Sequence, residues 1–485
     1  MKVYLLPVLC LWAASAQARE AQFAGKFYPE NKAQLSSVVD GALAAADVKK
    51  PEGKIIALVA PHAGYEFSGR VAGRAYKFID DSYDTVVILA TGHVAHTRGA
   101  ALLASGFYET PLGRVDIDAE LSRALIKANP LFEDNAAAHK GEHAVEVQLP
   151  FLQRKLKKPF KLVAATLNTD DLKDLKALGA ALAAALKGRK ALLVISTDFS
   201  HYPEHRLAAA ADKAMGLAME SLDPALVWNT SRILLAKRLP GLDTCACGSA
   251  ALEAGMEAAR LMGAKAFRPL KYADSYDEFP AAAAAARVVG YWAGVFTAGA
   301  PAPAAAASAA QKALLLKEAR STIEQALAGK EPPSGLEPDP WLNLPGAAFV
   351  TLTINGALRG CVGTIEPVLT LMDAIRYGAY SAAFRDHRFA PVTADELKQI
   401  KIEVSLLSRL APVKAADIKP GMHGVVVVQD GKSGLFLPQV WEQLPAREEF
   451  LGELCAQKAG LPRDCWKDPK TEIYSFTVDA FEEGK

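Results

Sequence analysis

The chain has 485 residues, with 55 Lys and Arg against 54 Asp and Glu and a formal net charge of +1, so no basic field exists to drive sequence-independent binding to nucleic acid. Apolar residues make up 51% and charged residues 22%, a mix that excludes intrinsic disorder and supplies apolar surface for two or three domains with cores of their own. Beyond the first residues no long uncharged apolar run occurs, which argues against an integral membrane protein.

Residues 1–18 read as an export signal. Lys2 gives the positive start, Val3 to Ala14 is an apolar run too short to span a bilayer, and Ala16-Gln17-Ala18 is a small-x-small cleavage site. The mature protein is therefore expected to be exported, periplasmic in a Gram-negative cell or otherwise secreted, with cleavage near Ala18. Strands are predicted at Lys54–Ala60, Thr85–Ala90, Lys161–Ala165, Ala191–Ser196 and Val288–Phe296. Helices are predicted at Lys32–Ala45, Ala119–Ala128, Leu172–Leu186, Leu207–Leu222 and Ser249–Met262. This alternation predicts an α/β domain over residues 19–297 with a largely parallel sheet. The uncharged run AGAPAPAAAASAA places an Ala/Pro linker at 298–311. Residues 312–485 then read as a smaller α+β domain. It has a helix at Lys312–Ala328 and strands at Ala347–Ile354, Ile400–Leu407, Gly424–Gln429 and Gly434–Leu437, the last two joined as a hairpin through Gly431-Lys432-Ser433.

Of the six cysteines, Cys10 leaves with the signal. Cys455 and Cys465 are expected to pair in an oxidising compartment. Cys245 and Cys247 are too close for an unstrained bridge, and Cys361 stands alone. The odd mature count points to a thiol kept for another purpose, such as a metal.

In open parallel sheets, functional groups collect where strands run into loops. The predicted strands run into Pro61-His62-Ala63-Gly64-Tyr65, Thr91-Gly92-His93-Val94-Ala95-His96 and Thr197-Asp198-Phe199-Ser200-His201. Glu142-His143-Ala144-Val145-Glu146 reads as helical, with His143 and Glu146 on one face. Asp243-Thr244-Cys245-Ala246-Cys247-Gly248 precedes a helix. Three histidines delivered to one sheet edge predict a shared metal site, and imidazole with thiolate or carboxylate suits iron, copper or zinc. No H-E-x-x-H and no zinc-finger spacing is present, which disfavours zinc-protease and structural-zinc readings. His96 is an alternative to His93, which is favoured as nearer the strand end. Whether Cys245 or Cys247 is the ligand stays open, and His139 and His205 are read as solvated.

These motifs, with Phe23-Ala24-Gly25-Lys26-Phe27-Tyr28-Pro29 before them, resemble the Memo-like family over residues 20–297. The resemblance implies an α/β sandwich similar to the class III extradiol dioxygenases, with a metal at the sheet edge. It also implies His62, His93 and Cys247 as ligands for Fe(II) or copper, zinc being a further option. His201 matches the acid/base histidine, with Asp198 beside it, and His143 and Glu146 would line the pocket or support the ligands. The implied activity is a metal-dependent, dioxygenase-like oxidation of a small substrate. The alternative is a non-catalytic metal- or peptide-binding module. Thr-Gly-His-Val-Ala-His departs from the family's usual Gly-Pro-Ser/Asn-His, and a thiolate departs from the dioxygenase ligand set.

In the second domain, Leu358-Arg359-Gly360-Cys361-Val362-Gly363-Thr364-Ile365, Phe384-Arg385-Asp386-His387-Arg388-Phe389 and Glu403-Val404-Ser405-Leu406-Leu407 resemble the AMMECR family over residues 312–482. Gly360 and Gly363 suggest a tight turn and close backbone approach. Cys361 is a candidate thiol site if Arg359 and His387 lower its pKa, against a buried structural cysteine. Memo-like and AMMECR-like proteins are the B and A proteins of the AmmeMemoRadiSam system, which implies a radical-SAM partner or scaffold role. The export signal conflicts with that implication, because a radical-SAM cluster needs a reducing cytoplasm.

Overall fold

Residues 18–280, 284–301, 306–331 and 333–484 are described by the structure, a computed structural model. The signal expected over 1–18 falls, except for Ala18, outside them, as does part of the expected linker. The chain divides into two compact units, Met1–Pro303 and Ala304–Lys485.

Strands of the first unit, in chain order, are β1 (Ala18–Arg19), β2 (Ile55–Ala60), β3 (Thr85–Thr91), β4 (Ala100–Leu102), β5 (Phe107–Thr110) and β6 (Gly113–Asp116). They continue with β7 (Phe132–Asp134), β8 (Lys161–Leu167), β9 (Ala191–Ser196), β10 (Ala266–Asp274) and β11 (Gly290–Thr297). Eight form one sheet in the order β10-β11-β2-β9-β3-β8-β4-β7. Its middle, β2-β9-β3-β8, is parallel, while β10, β11 and β4 join antiparallel. Strands β2, β3 and β9 are buried along their whole length, which is why they read as unbroken apolar runs rather than alternating ones. β1 pairs in parallel with β5 in a separate three-stranded sheet.

The register matters for function. Ala60, Ser196 and Ala90 are neighbours across β2, β9 and β3. Three adjacent parallel strands therefore end level, and their next residues share one edge. The helix Ser249–Leu261, of which ten residues are buried, packs on these strands.

The sequence reading missed the helices Tyr65–Tyr76 and Pro224–Ala236 and the strand β10. It also took 142–146 as helical. Only Glu146 is helical there, opening a 3-10 turn over Glu146–Gln148, so the i, i+3 argument for His143 and Glu146 fails.

The second unit holds two sheets. One has the order β13-β12-β15-β20, with β14 beside β12; these strands are β12 (Pro345–Ile354), β13 (Ala357–Gly363), β14 (Leu369–Thr370), β15 (Ile400–Leu407) and β20 (Val478–Glu482). The other runs β16-β19-β17-β18, from β16 (Ala411–Pro412), β17 (Gly424–Gln429), β18 (Lys432–Phe436) and β19 (Glu472–Phe476). The close backbone approach expected at Gly360 and Gly363 is present, but inside β13 rather than in a turn. A Cβ at either would sit 2.2 or 2.1 Å from the carbonyl of Ala382 or Ala348, so they permit close packing. The β17–β18 turn is Asp430-Gly431, both with positive φ, and Lys432 already pairs with Gln429; the hairpin loop is two residues long.

Candidate metal centre

His62 follows β2 and is 1% exposed. Its Nδ1 lies 3.1 Å from Ser196 Oγ at the end of β9. That hydroxyl donates its single proton to Ala144 O at 2.7 Å and accepts from Gln148 Nε2 at 2.8 Å. Ser196 can then only accept from His62, so Nδ1 carries the imidazole proton. The lone pair is left on Nε2, which faces Cys247 Sγ at 3.1 Å. Burial, followed by the neighbouring His93, holds the His62 pKa down to about 3, so the ring is neutral and a ready donor.

His93 is oriented by Glu142, the first residue of the Glu142–Glu146 motif, for which the sequence suggests no role of its own. Glu142 is 1% exposed and accepts from His93 N at 2.6 Å, from His93 Nδ1 at 3.0 Å and from Ala144 N at 2.9 Å. Burial works against the charge, yet these hydrogen bonds keep the carboxyl well below its ordinary value. A carboxylate only accepts, so His93 also holds its proton on Nδ1 and leaves Nε2 free. His143 Nδ1 lies 3.4 Å from the same carboxylate. Burial, then His62 and His93, lower its pKa to about 3. The three rings are mutual neighbours, with centroids 4.6–5.3 Å apart.

Ligand atoms of His62, His93 and His143 lie within 4.8 Å of one another, and so do those of His62, Asp198 and Cys247. His62 is the shared member; His93 and Cys247 fall in different groups. Asp198 Oδ1 accepts from His62 N at 2.8 Å and Ala63 N at 3.3 Å, fixing the turn that presents His62. Its Oδ2 lies 3.9 Å from His62 Nε2. Burial pushes the Asp198 carboxyl up. His201 Nε2 is buried with no hydrogen-bond partner among the described residues, and burial lowers its pKa.

Cys247 sits on a turn whose N–H groups bond the loop after β9, Cys247 N to Asp198 O and Gly248 N to Thr197 Oγ1. A Cβ on Gly248 would lie 2.8 Å from Ser196 O, so glycine lets the thiol approach the strand end. Burial, then Asp198, drive the Cys247 thiol far up. Cys245 points elsewhere: it is fully buried, with Sγ 3.9 Å from Ser231 O. His96 is exposed and belongs to neither group.

Four expectations need correction. Glu146 is bound to the N-terminal segment: it accepts from Tyr28 Oη at 2.6 Å and Phe23 N at 2.8 Å and pairs with Arg19. His139 is not solvated but 1% exposed, with Nδ1 at 2.9 Å from Tyr108 Oη and Nε2 at 3.1 Å from Ala101 O. His205 is about one-third exposed and lies 2.6 Å from buried Asp274. In the second unit Arg359 is bound to Glu396 at 2.9 Å rather than to Cys361. Cys361 has Thr351 Oγ1 3.3 Å from its sulfur, its N–H on Asp386 and its carbonyl on Arg388.

The fold and cluster define an α/β protein with imidazole, thiol and carboxylate donors at the carboxyl edge of a parallel sheet. The Memo-like protein family matches residues 19–295, and the chain belongs to that family. AMMECR1 matches residues 316–481, so the chain is a fusion of the two. A MEMO1 family protein of Methanopyrus kandleri is 33% identical over 292 residues, 58% of this chain and 99% of that protein. One from Aquifex aeolicus is 33% identical over 54% of this chain and 93% of that protein. A solved structure, that of an uncharacterized protein from Pyrococcus horikoshii, is 39% identical, covers 36% of this chain and 91% of that one, and has a TM-score of 0.32.

Proposed function

We propose that the first unit is a mononuclear metal-binding domain of dioxygenase-like design that oxidises a small aromatic substrate. Fe(II) or copper is the cofactor, held by His62, His93 and Cys247. The observation that carries this reading is the tautomer assignment: Ser196 and Glu142 put protons of His62 and His93 on Nδ1, so Nε2 is the donor atom of each ring, and that of His62 accepts from the Cys247 thiol. Such a set fits a borderline or soft ion and fits calcium or magnesium poorly. When bound, the ion would supply Lewis-acid and one-electron redox chemistry.

The protein's own groups do the rest. Glu142 orients two imidazoles at once, and Asp198 fixes the His62 turn. His143 is a further donor on the His93 side. His201, with an unsatisfied buried Nε2, is the group that takes or returns a substrate proton. Phe23 and Phe27, with centroids 5.5 and 4.5 Å from His143, offer an aromatic wall for a planar substrate. The buried Cys455–Cys465 disulfide supports export to an oxidising compartment.

Elemental analysis after anaerobic purification is expected to find about one iron or copper per chain, followed by O₂ uptake with catechols. A His62→Ala, His93→Ala double variant with full metal content would overturn the site. The Cys247 thiol favours a second reading, a copper-holding module without turnover. Metal content with no O₂ uptake on any catechol would select it.

A further inference from the structure

Glu142 and His143 sit in irregular chain between the helix Ala136–His139 and the turn Glu146–Gln148. Among the groups that bond this segment is Arg19, 6% exposed. Its Nε donates to His139 O and its Nη2 to Glu142 O, both at 2.7 Å. Its Nη1 donates to Glu20 O at 2.7 Å and lies 3.1 Å from Glu146 Oε2. The backbone of Arg19 lies in turn beside Tyr108 of β5. Gln22 extends the same buckle, its Oε1 accepting from Gly141 N at 2.8 Å.

Arg19 thus grips the main chain of the residue whose side chain aims two histidines. We propose that Arg19 is a positioning residue of the metal centre: its guanidinium fork, by holding His139 O and Glu142 O together, sets the Glu142 carboxylate that fixes the His93 tautomer. The proposal rests on the metal reading above and adds that the centre is completed by the N-terminal segment. A fork is required, because one ammonium cannot span two carbonyls and a carboxylate with the same geometry.

The test uses the two-unit protein without the signal, the form expected after cleavage near Ala18, with Arg19→Lys, Arg19→Ala, Glu142→Gln and the Arg19→Lys, Glu142→Gln double variant. Two readouts are compared: histidine ¹⁵N chemical shifts, which report the tautomer without any metal, and Co(II) titration by visible absorption. Arg19→Lys is expected to keep the wild-type near-UV circular dichroism, lose the single Nδ1–H form of His93, and bind Co(II) about 10–100-fold more weakly. In the Glu142→Gln background the same change should add little. Wild-type tautomers and Co(II) affinity in both Arg19 variants, or additive losses in the double variant, would overturn the proposal. Unfolding of both Arg19 variants would also overturn it, leaving a purely structural arginine. If the wild-type chain bound no Co(II), iron or copper, the metal reading would fail, while the tautomer measurement would still decide the role of Arg19.

Discussion

Glu253 shows how much a single side chain can charge against the fold. It lies on the helix Ser249–Leu261, 2% exposed, and burial, followed by Asp170, pushes its carboxyl up to about 8. The unfolded chain releases that proton near 4.5. Between these two values the folded state binds more protons, so the favourable contribution present at low pH falls as pH rises and is fully lost above about 8. Glu253→Gln keeps the shape and removes the titration. Thermal melts should show almost no difference between the two proteins at pH 4.5, and a gain for the variant growing to about 2 kcal/mol or more by pH 8.5. A gain that did not change with pH would mean the carboxyl is ionised in the fold. The residues of the candidate metal groups were easier to single out than Glu253. His62, His93 and Cys247 follow strand ends or precede a helix, and strand-end chemistry shows in a sequence. Glu142, Ser196 and Arg19 act on other residues' protons and backbone, and no spacing rule marks such a role.

At the level of elements, legibility followed burial. The fully buried parallel strands were read nearly to the residue, because both faces demand apolar side chains; β9 is Ala191–Ser196 in the sequence reading and in the fold. The helix Tyr65–Tyr76 was missed because it begins directly after the His62 motif and contains Gly69 and Gly73, poor helix formers. Gly73 is there for packing, since a Cβ would lie 2.6 Å from Ala42 O on the neighbouring helix. Strand β13 was missed for a similar reason, its two glycines reading as a turn. The Cys455–Cys465 pair, ten residues apart, was legible from its spacing together with the expected export. Both sulfurs lie in a core with Val425, Val427, Phe450 and Leu454. Closing so short a loop is worth about 2–3 kcal/mol. Reduction should lower the melting temperature of the second unit by roughly 5 °C or more, and an unchanged melt in reductant would show that packing alone holds this corner.

Across the whole molecule, the two units each own a core. One gathers Leu58, Val86, Leu162 and Val194, and others gather Val350, Ile375 and Val404 or Val425 and Phe450. A ligand that binds only the folded first unit stabilises that unit by mass action, about 2.7 kcal/mol at a hundredfold excess over its dissociation constant. A reductant acts only where the disulfide is. Calorimetry of the full chain should therefore resolve two transitions that answer to different agents. Co(II) is expected to raise one by roughly 5 °C and leave the other in place, and reductant is expected to lower the second without moving the first. The crossed design matters because each agent controls for the other: a shift of both transitions by Co(II) alone would mean that metal binding in the Memo-like unit is felt by the AMMECR1 unit. Two independent responses would mean that the fusion tethers two separately stable proteins, with the chemistry confined to the first.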